Sequence, residues 1–262
     1  MLDRIRIVMV GTTHPGNIGA AARAMNTMGL SDLRLVSPLQ FPHVEATARA
    51  SGSADILASA KVCASLDDAL EGATLVVGTS ARQRRIPWPC LSPRQLGAVA
   101  AERIEQEQIA VLFGREDRGL TNDELQRCHY HVAIPTNPDY AVLNVASAVQ
   151  LIGYELRLAL VGDPEAGEAP RRAGRHCLAL PPMEWDAPPA DAAELEYLLR
   201  HLETLITASG FVDPASPGHV MTRLRRLFLR ARPDKVEIST LRGVLTSFAR
   251  YLPSPESEGG NR

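Results

Sequence analysis

Cysteine is scarce in this 262-residue chain. The four present, Cys63, Cys90, Cys128 and Cys177, include no C-x-x-C pair. That excludes a disulfide scaffold and a zinc ribbon and fits reduced thiols in the cytoplasm. Lysine is almost missing too: Lys61 and Lys235 are the only two, so 26 of the 28 basic residues are arginines. Arginine's planar fork suits phosphate recognition, although genome composition produces the same bias. The net charge is −2, so no bulk basic field draws the chain to nucleic acid. No run approaches the ~20 apolar residues that cross a bilayer. The opening MLDRIRIVMVG has an apolar stretch too short for a signal peptide and no small-residue cleavage site, so we expect a chain working in solution.

Several catalytic signatures are also absent. After the first apolar run the glycines are Gly11, Gly16 and Gly19, not G-x-G-x-x-G, and Ser37-Pro38 stands where a nicotinamide site needs an acidic residue. The segment GREDRGLT lacks the G-K-[ST] of a P-loop, and there is no G-x-S-x-G elbow. Cys128, His129 and His131 lie together, but their spacing on a strand makes no metal cage, and no metal is expected.

What remains is an ordinary globular composition. A hydrophobic share of 45% and a charged share of 22% exclude wholesale disorder and supply a sizeable core. At ~100–200 residues per domain the length allows one large domain or two unequal ones. Strand-like runs at Ile5–Val10, Leu33–Val36, Leu75–Val77, Ile109–Phe113 and His131–Ile134 alternate with helical patterns. These patterns cover Asn17–Met28, a short segment begun by Ser65 and Asp68, one opened by Ser92-Pro93, one capped by Thr121 and Glu124, and Val142–Leu160. Alternation of this kind predicts an α/β parallel sheet covered by helices. Ligands then bind beyond the carboxyl ends of the strands, where Gly11–Gly19, Gly78–Arg85, Gly114–Gly119 and Pro135–Asn144 converge. We therefore place one domain at 1–162 and a proline-rich linker at 163–189. A small all-α C-terminal extension at 190–262 has helical patterns near Ala190–Ser209, Pro217–Arg230 and Val236–Tyr251.

Three blocks carry more information: NIGAAARAMNTMG (Asn17 to Gly29), LFGREDRGLTNDEL (Leu112 to Leu125) and IPTNPDYAVLNVASAVQLIGYEL (Ile134 to Leu156). In content and order they resemble the motifs of the SPOUT methyltransferase superfamily, in its branch of RNA ribose 2′-O-methyltransferases. The length, the arginine in the first block and the helical extension are most similar to bacterial tRNA members that modify nucleotide 32 in the anticodon loop. The resemblance implies a SPOUT-type parallel sheet with a C-terminal deep trefoil knot, a rare topology. It implies S-adenosyl-L-methionine as cofactor, held by Thr79, Ser80, Ala81, Gly114, Ile134, Ala141, Val142 and Leu143. Backbone groups there would read the adenine, Gly114 would allow close approach, and Leu112, Ile134 and Leu143 would form apolar walls.

The same resemblance assigns the chemistry to Arg23, Asn17, Glu116, Asn144 and Ser147. A guanidinium at Arg23 can stabilise alkoxide character on a ribose 2′-oxygen; the plain alternative is a surface arginine. Asn17 lies near the nucleotide or Arg23, or is a helix N-cap. Glu116 orients Arg23 or the cofactor loop, or is merely solvated. Asn144 and Ser147, three apart, share a helical face, beside the ribose or as cap and packing residues. Tyr140 either stacks on a base or is simply exposed. Basic clusters at Arg82, Arg84 and Arg85, at Arg115 and Arg118, and at Arg223 and Arg226 are candidate phosphate contacts or solvated faces. The implied partners are tRNA and a second copy of the chain, with neither membrane nor DNA. Ile18, Ala22 and Met25 would line the dimer contact or face inward. An rRNA 2′-O-methyltransferase and a non-catalytic RNA-binding protein remain the competing readings.

Overall fold

A computed structural model of the chain describes residues 1–80, 88–162 and 187–252. The chain divides into two compact units between Glu184 and Trp185. Most of the linker expected at 163–189 lies outside the described residues.

In the first unit, β1 (Ile5–Val10) leads into α1 (Pro15–Met28), followed by β2 (Asp32–Val36), α2 (Val44–Ala50), α3 (Ala54–Ser59) and β3 (Lys61–Cys63). The chain continues through α4 (Leu66–Leu70), β4 (Leu75–Thr79), β5 (Cys90–Leu91), α5 (Pro93–Arg103), β6 (Ile109–Phe113), α6 (Asn122–Gln126), β7 (Tyr130–Val132) and α7 (Val145–Val161). The seven strands form one sheet in the order β3-β2-β1-β6-β4-β7-β5. Every pairing is parallel. Its centre is buried on both faces, which is why IVMV, LVVG and IAVLF read as continuous apolar runs without alternation. The fully buried side chains of Ile5, Ile7, Met9, Leu35 and Phe113 each contribute about 1.5–3 kcal/mol by leaving water.

Ile18, Ala22 and Met25 belong to this core and are fully buried. They face inward, so the dimer-contact alternative for those three is overturned. The glycines of the first block also have another use than a ligand-binding turn. A Cβ on Gly19 would lie 2.0 Å from the backbone oxygen of Ala46, and one on Gly16 would lie 2.6 Å from Glu45 Oε1. They let α2 sit directly on α1. Only Gly11, with φ +61°, serves the strand-to-helix turn.

Three expected boundaries move. α1 starts at Pro15 rather than Asn17, with proline preset for the first helical position. α7 starts at Val145 rather than Val142, because the Asn144 side chain caps it by accepting from the Ala146 amide. β7 ends at Val132, so Ile134 is not in a strand. The segment α2–α3–β3 was not anticipated: its strand is three residues long and mostly exposed, leaving no periodic signal.

The second unit packs α8 (Ala192–Ala208) against both α9 (Val220–Ala231) and α10 (Lys235–Ala249). Capping boxes at Asp191/Glu194 and Asp234/Glu237 start the first and last of these. Arg225 forms a largely buried pair with Glu196, at 2.5 and 2.9 Å, and the Arg242 guanidinium lies 4.0 Å above the Tyr197 ring. Among the described residues no helix is long and apolar enough to cross a membrane.

Candidate active site

The three motif blocks meet through their side chains. Pro15 starts α1, and its N-cap, His14, gives no side-chain cap. The amides of Thr13 and His14, at the entry to the helix, are met instead from the loop after β6. Glu116 Oε2 accepts from the Thr13 amide at 3.1 Å and the Thr13 hydroxyl at 2.9 Å, and Oε1 accepts from the His14 amide at 3.3 Å. A carboxylate here also complements the positive end of the helix dipole. Asn17, in the first turn, donates Nδ2 to Glu116 Oε1 at 2.8 Å. Its Oδ1 accepts from Asn144 Nδ2 at 2.9 Å. The N-cap alternative for Asn17 is therefore overturned, and Asn144 is both a cap and a bridge. Burial by itself would raise the Glu116 pKa. The hydrogen bonds from Asn17 and Thr13 outweigh it and hold the carboxyl down at about 2.

Arg23 stands two turns further along α1. It is exposed and makes no hydrogen bond or ion pair among the described residues. Glu116 pairs with Asn17, so it does not hold Arg23 directly. Arg23 and Ser147 instead line one open hollow of about 720 Å³ between α1 and α7, with Thr27, Met28, Gln150 and Leu151 on its walls. Ser147 is exposed there, one helical turn after Asn144. An uncommitted guanidinium beside a hydroxyl on a rigid helix pair can bind and stabilise an anionic oxygen.

The proposed cofactor loops lie at the carboxyl ends of β4, β6 and β7. The Thr79 hydroxyl donates to the Leu112 carbonyl at 2.9 Å, and the Ser80 amide donates to Val132 at 2.9 Å. Ala81 lies outside the described residues. The Leu112 side chain is fully buried in the sheet and is no pocket wall. Gly114 is needed for a different approach than expected, because a Cβ there would lie 2.1 Å from the Gly119 carbonyl carbon and the Leu120 nitrogen of its own loop. Ile134 is half-buried against the core. Ala141 is exposed, and Val142 and Leu143 are apolar yet 70% and 37% exposed. The amides of these three residues make no hydrogen bond among the described residues. These exposed loop amides, with apolar side chains beside them, are accessible to a ligand's hydrogen-bond acceptors.

Of the basic candidates, Arg82, Arg84 and Arg85 lie outside the described residues. Arg115 is partly buried against Glu124, at 3.0 Å, and Arg118 is at the surface beside Asp117. Arg223 is exposed on α9 and Arg226 is half-buried there. Tyr140 is exposed. Cys128, His129 and His131 are all buried and used in packing. His131 stacks on Trp88, whose indole N–H donates to the Cys128 carbonyl, and His129 Nδ1 accepts from the Val76 amide. Reasoning from sequence missed Thr13. Its only signal was its place just before the first helix, where threonine often satisfies orphan amides.

Residues 4–154 match the SpoU rRNA Methylase family. Residues 193–257 match the tRNA methyltransferase TrmJ, C-terminal domain. The tRNA (cytidine/uridine-2′-O-)-methyltransferase TrmJ of Pectobacterium atrosepticum is 51% identical over 247 residues, covering 94% of this chain and 97% of that protein. The protein of the same name from Yersinia pestis is 48% identical over 261 residues, covering 100% and 97%. The crystal structure of TrmJ from Z. mobilis ZM4 superimposes with a TM-score of 0.76 at 32% identity, covering 93% of this chain and 98% of that one.

Proposed function

Since the chain belongs to the SpoU rRNA methylase family, in its TrmJ branch, we propose that it methylates tRNA on the ribose 2′-hydroxyl of cytidine or uridine, with S-adenosylmethionine as donor and nucleotide 32 of the anticodon loop as target. The observation that carries this reading is the Glu116–Asn17–Asn144 bridge, with Asn17 at its centre. It locks the starts of α1 and α7 together, and these two helices present Arg23 and Ser147 to one hollow.

S-adenosylmethionine supplies, when bound, a methyl group on a sulfonium centre. Ala141, Val142, Leu143, Gly114, Thr79 and Ser80 would hold it, and the exposed amides at 141–143, unbonded among the described residues, support that assignment. Arg23 stays protonated. It binds the ribose-phosphate, and its charge stabilises negative character on the 2′-oxygen as the hydroxyl proton departs. Ser147 orients the sugar from the facing helix. Glu116 and Asn17 act on α1, fixing where Arg23 stands. Arg118, Arg223 and Arg226, with Arg82, Arg84 and Arg85, contact phosphates and position the RNA without reading its sequence. A flipped-out loop nucleotide is the accessible target.

The threaded topology belongs to the same reading. β7 is hydrogen-bonded on one edge to β4 and on the other to β5. Those two strands are the ends of a single earlier connection, so the later chain runs between its two ends. A homodimer in the cytoplasm completes the proposal. The dimer is supported by the exposed face of α7, where Leu151, which lines the hollow, recurs with Tyr154 and Val161 at helical spacing.

The test is to incubate the purified chain with methyl-labelled S-adenosylmethionine and total RNA, then map the label by nuclease digestion and mass spectrometry. Label on a pyrimidine ribose in the tRNA anticodon loop is expected. Label on a base, or on rRNA alone, overturns the reading.

A further inference from the structure

Arg115 stands one residue before Glu116, and its guanidinium is committed inside the protein. Nη1 lies 3.0 Å from both carboxylate oxygens of Glu124. The two side chains are only 24% and 13% exposed. Glu124 is itself the third residue of α6 and accepts from the Thr121 amide at 2.7 Å in that helix's capping box. On its other side Arg115 packs on bare backbone: a Cβ on Gly11 would lie 2.6 Å from Arg115 Nε and 3.0 Å from Cζ. The Arg115 backbone is paired both ways with Gly119, at 3.2 and 2.8 Å. The loop that carries Glu116 is thus pinned at its neck, and the pin touches both the β1–α1 turn and the amino end of α6.

We propose that Arg115 is a positioning residue: clamped between Gly11 and Glu124, it sets where Glu116 meets Thr13 and Asn17, and so where α1 presents Arg23. This inference rests on the methyltransferase reading and replaces the expectation that Arg115 contacts phosphate. An arginine reaching for RNA would have to leave a carboxylate that is already partly desolvated with it. The exposed Arg118, three residues on, carries no such cost.

The experiment compares Arg115→Gln, Arg115→Lys and Glu124→Gln with the parent protein. Glutamine at 124 keeps the capping box of α6 and weakens only the ion pair. Each protein is assayed for kcat, for tRNA affinity across a salt series and for the 13C carboxyl titration of Glu116. We expect Arg115→Gln and Glu124→Gln each to lower kcat by about tenfold to a hundredfold, the scale of a small misplacement at a reacting centre. The tRNA Kd and its salt slope should hold within about twofold, since no phosphate contact is lost. The Glu116 midpoint should rise from about 2 toward its ordinary value of 4.5, and Arg115→Lys should recover part of both effects. A weakened Kd with a salt slope reduced by about one marks a phosphate contact and overturns the inference. An unchanged kcat with an unmoved Glu116 midpoint overturns it as well. If the parent protein methylates no tRNA, the functional reading fails, and the titration of Glu116 still decides whether Arg115 holds the loop.

Discussion

Asn144 donates its side-chain amide to Asn17 at 2.9 Å across 127 residues of sequence. The same side chain accepts from the Ala146 amide through its oxygen. One residue thus starts α7 and ties it to α1. Asn144→Asp separates the two tasks, because aspartate caps as well as asparagine but cannot donate to Asn17. The unfolding free energy from denaturant titration should change by less than about 1 kcal/mol, while kcat falls about tenfold, the scale of one net hydrogen bond that positions the reacting groups. A variant with full turnover would show the bridge to be idle.

Arg23 is exposed and unpaired among the described residues, so its removal costs the fold nothing. We expect Arg23→Ala to melt like the parent and to bind S-adenosylmethionine equally well by calorimetry. Its kcat should drop by about 10²–10³-fold, as for loss of one donor to a developing oxyanion. Calorimetry and single-turnover kinetics on one preparation decide it.

Acid weakens this protein in two windows. Burial pushes the His129 pKa down to about 4 from 6.5, and Nδ1 accepts the Val76 amide at 3.0 Å, so that nitrogen carries no proton. Between pH 6.5 and 4 the unfolded chain binds a proton that the folded chain refuses. Stability is complete above 6.5 and declines through that window by roughly 3 kcal/mol. Glu116, held at about 2, adds a second decline between pH 4.5 and 2, where only the unfolded carboxyl is protonated. Urea midpoints from pH 7.5 down to 4.5 measure the first window. His129→Asn, which keeps an acceptor and removes the titration, should flatten it.

Gly19→Ala tests the contact of α1 with α2. The added methyl would meet the Ala46 oxygen at 2.0 Å, so one helix must move. We expect a loss of about 1–3 kcal/mol, the scale of overpacking, read as a lower Tm. Gly243→Ala, inside α10, is the control for space alone: nothing lies within 4 Å of its Cβ position and its backbone is helical.

What the sequence determined by itself is considerable. Continuous apolar runs at Ile5–Val10 and Ile109–Phe113 become central strands because a sheet buried on both faces needs no alternation. The capping boxes at Ser65/Asp68 and Thr121/Glu124, and the proline after Ser92, start their helices, since each signal is local. Arg23, Asn17, Glu116, Asn144 and Ser147 could be named because the motif order is written along the chain. Only the tertiary structure decided where their side chains are placed. Glu116 meets the His14 amide at the entry to α1 from 102 residues away, Gly114 and Gly19 yield to backbone rather than to ligand, and Ile18, Ala22 and Met25 turn to the sheet. Sequence periodicity reports which residues share a face. Which distant group satisfies the amides at a helix's entry depends on loops that the folded sheet brings together at its carboxyl edge.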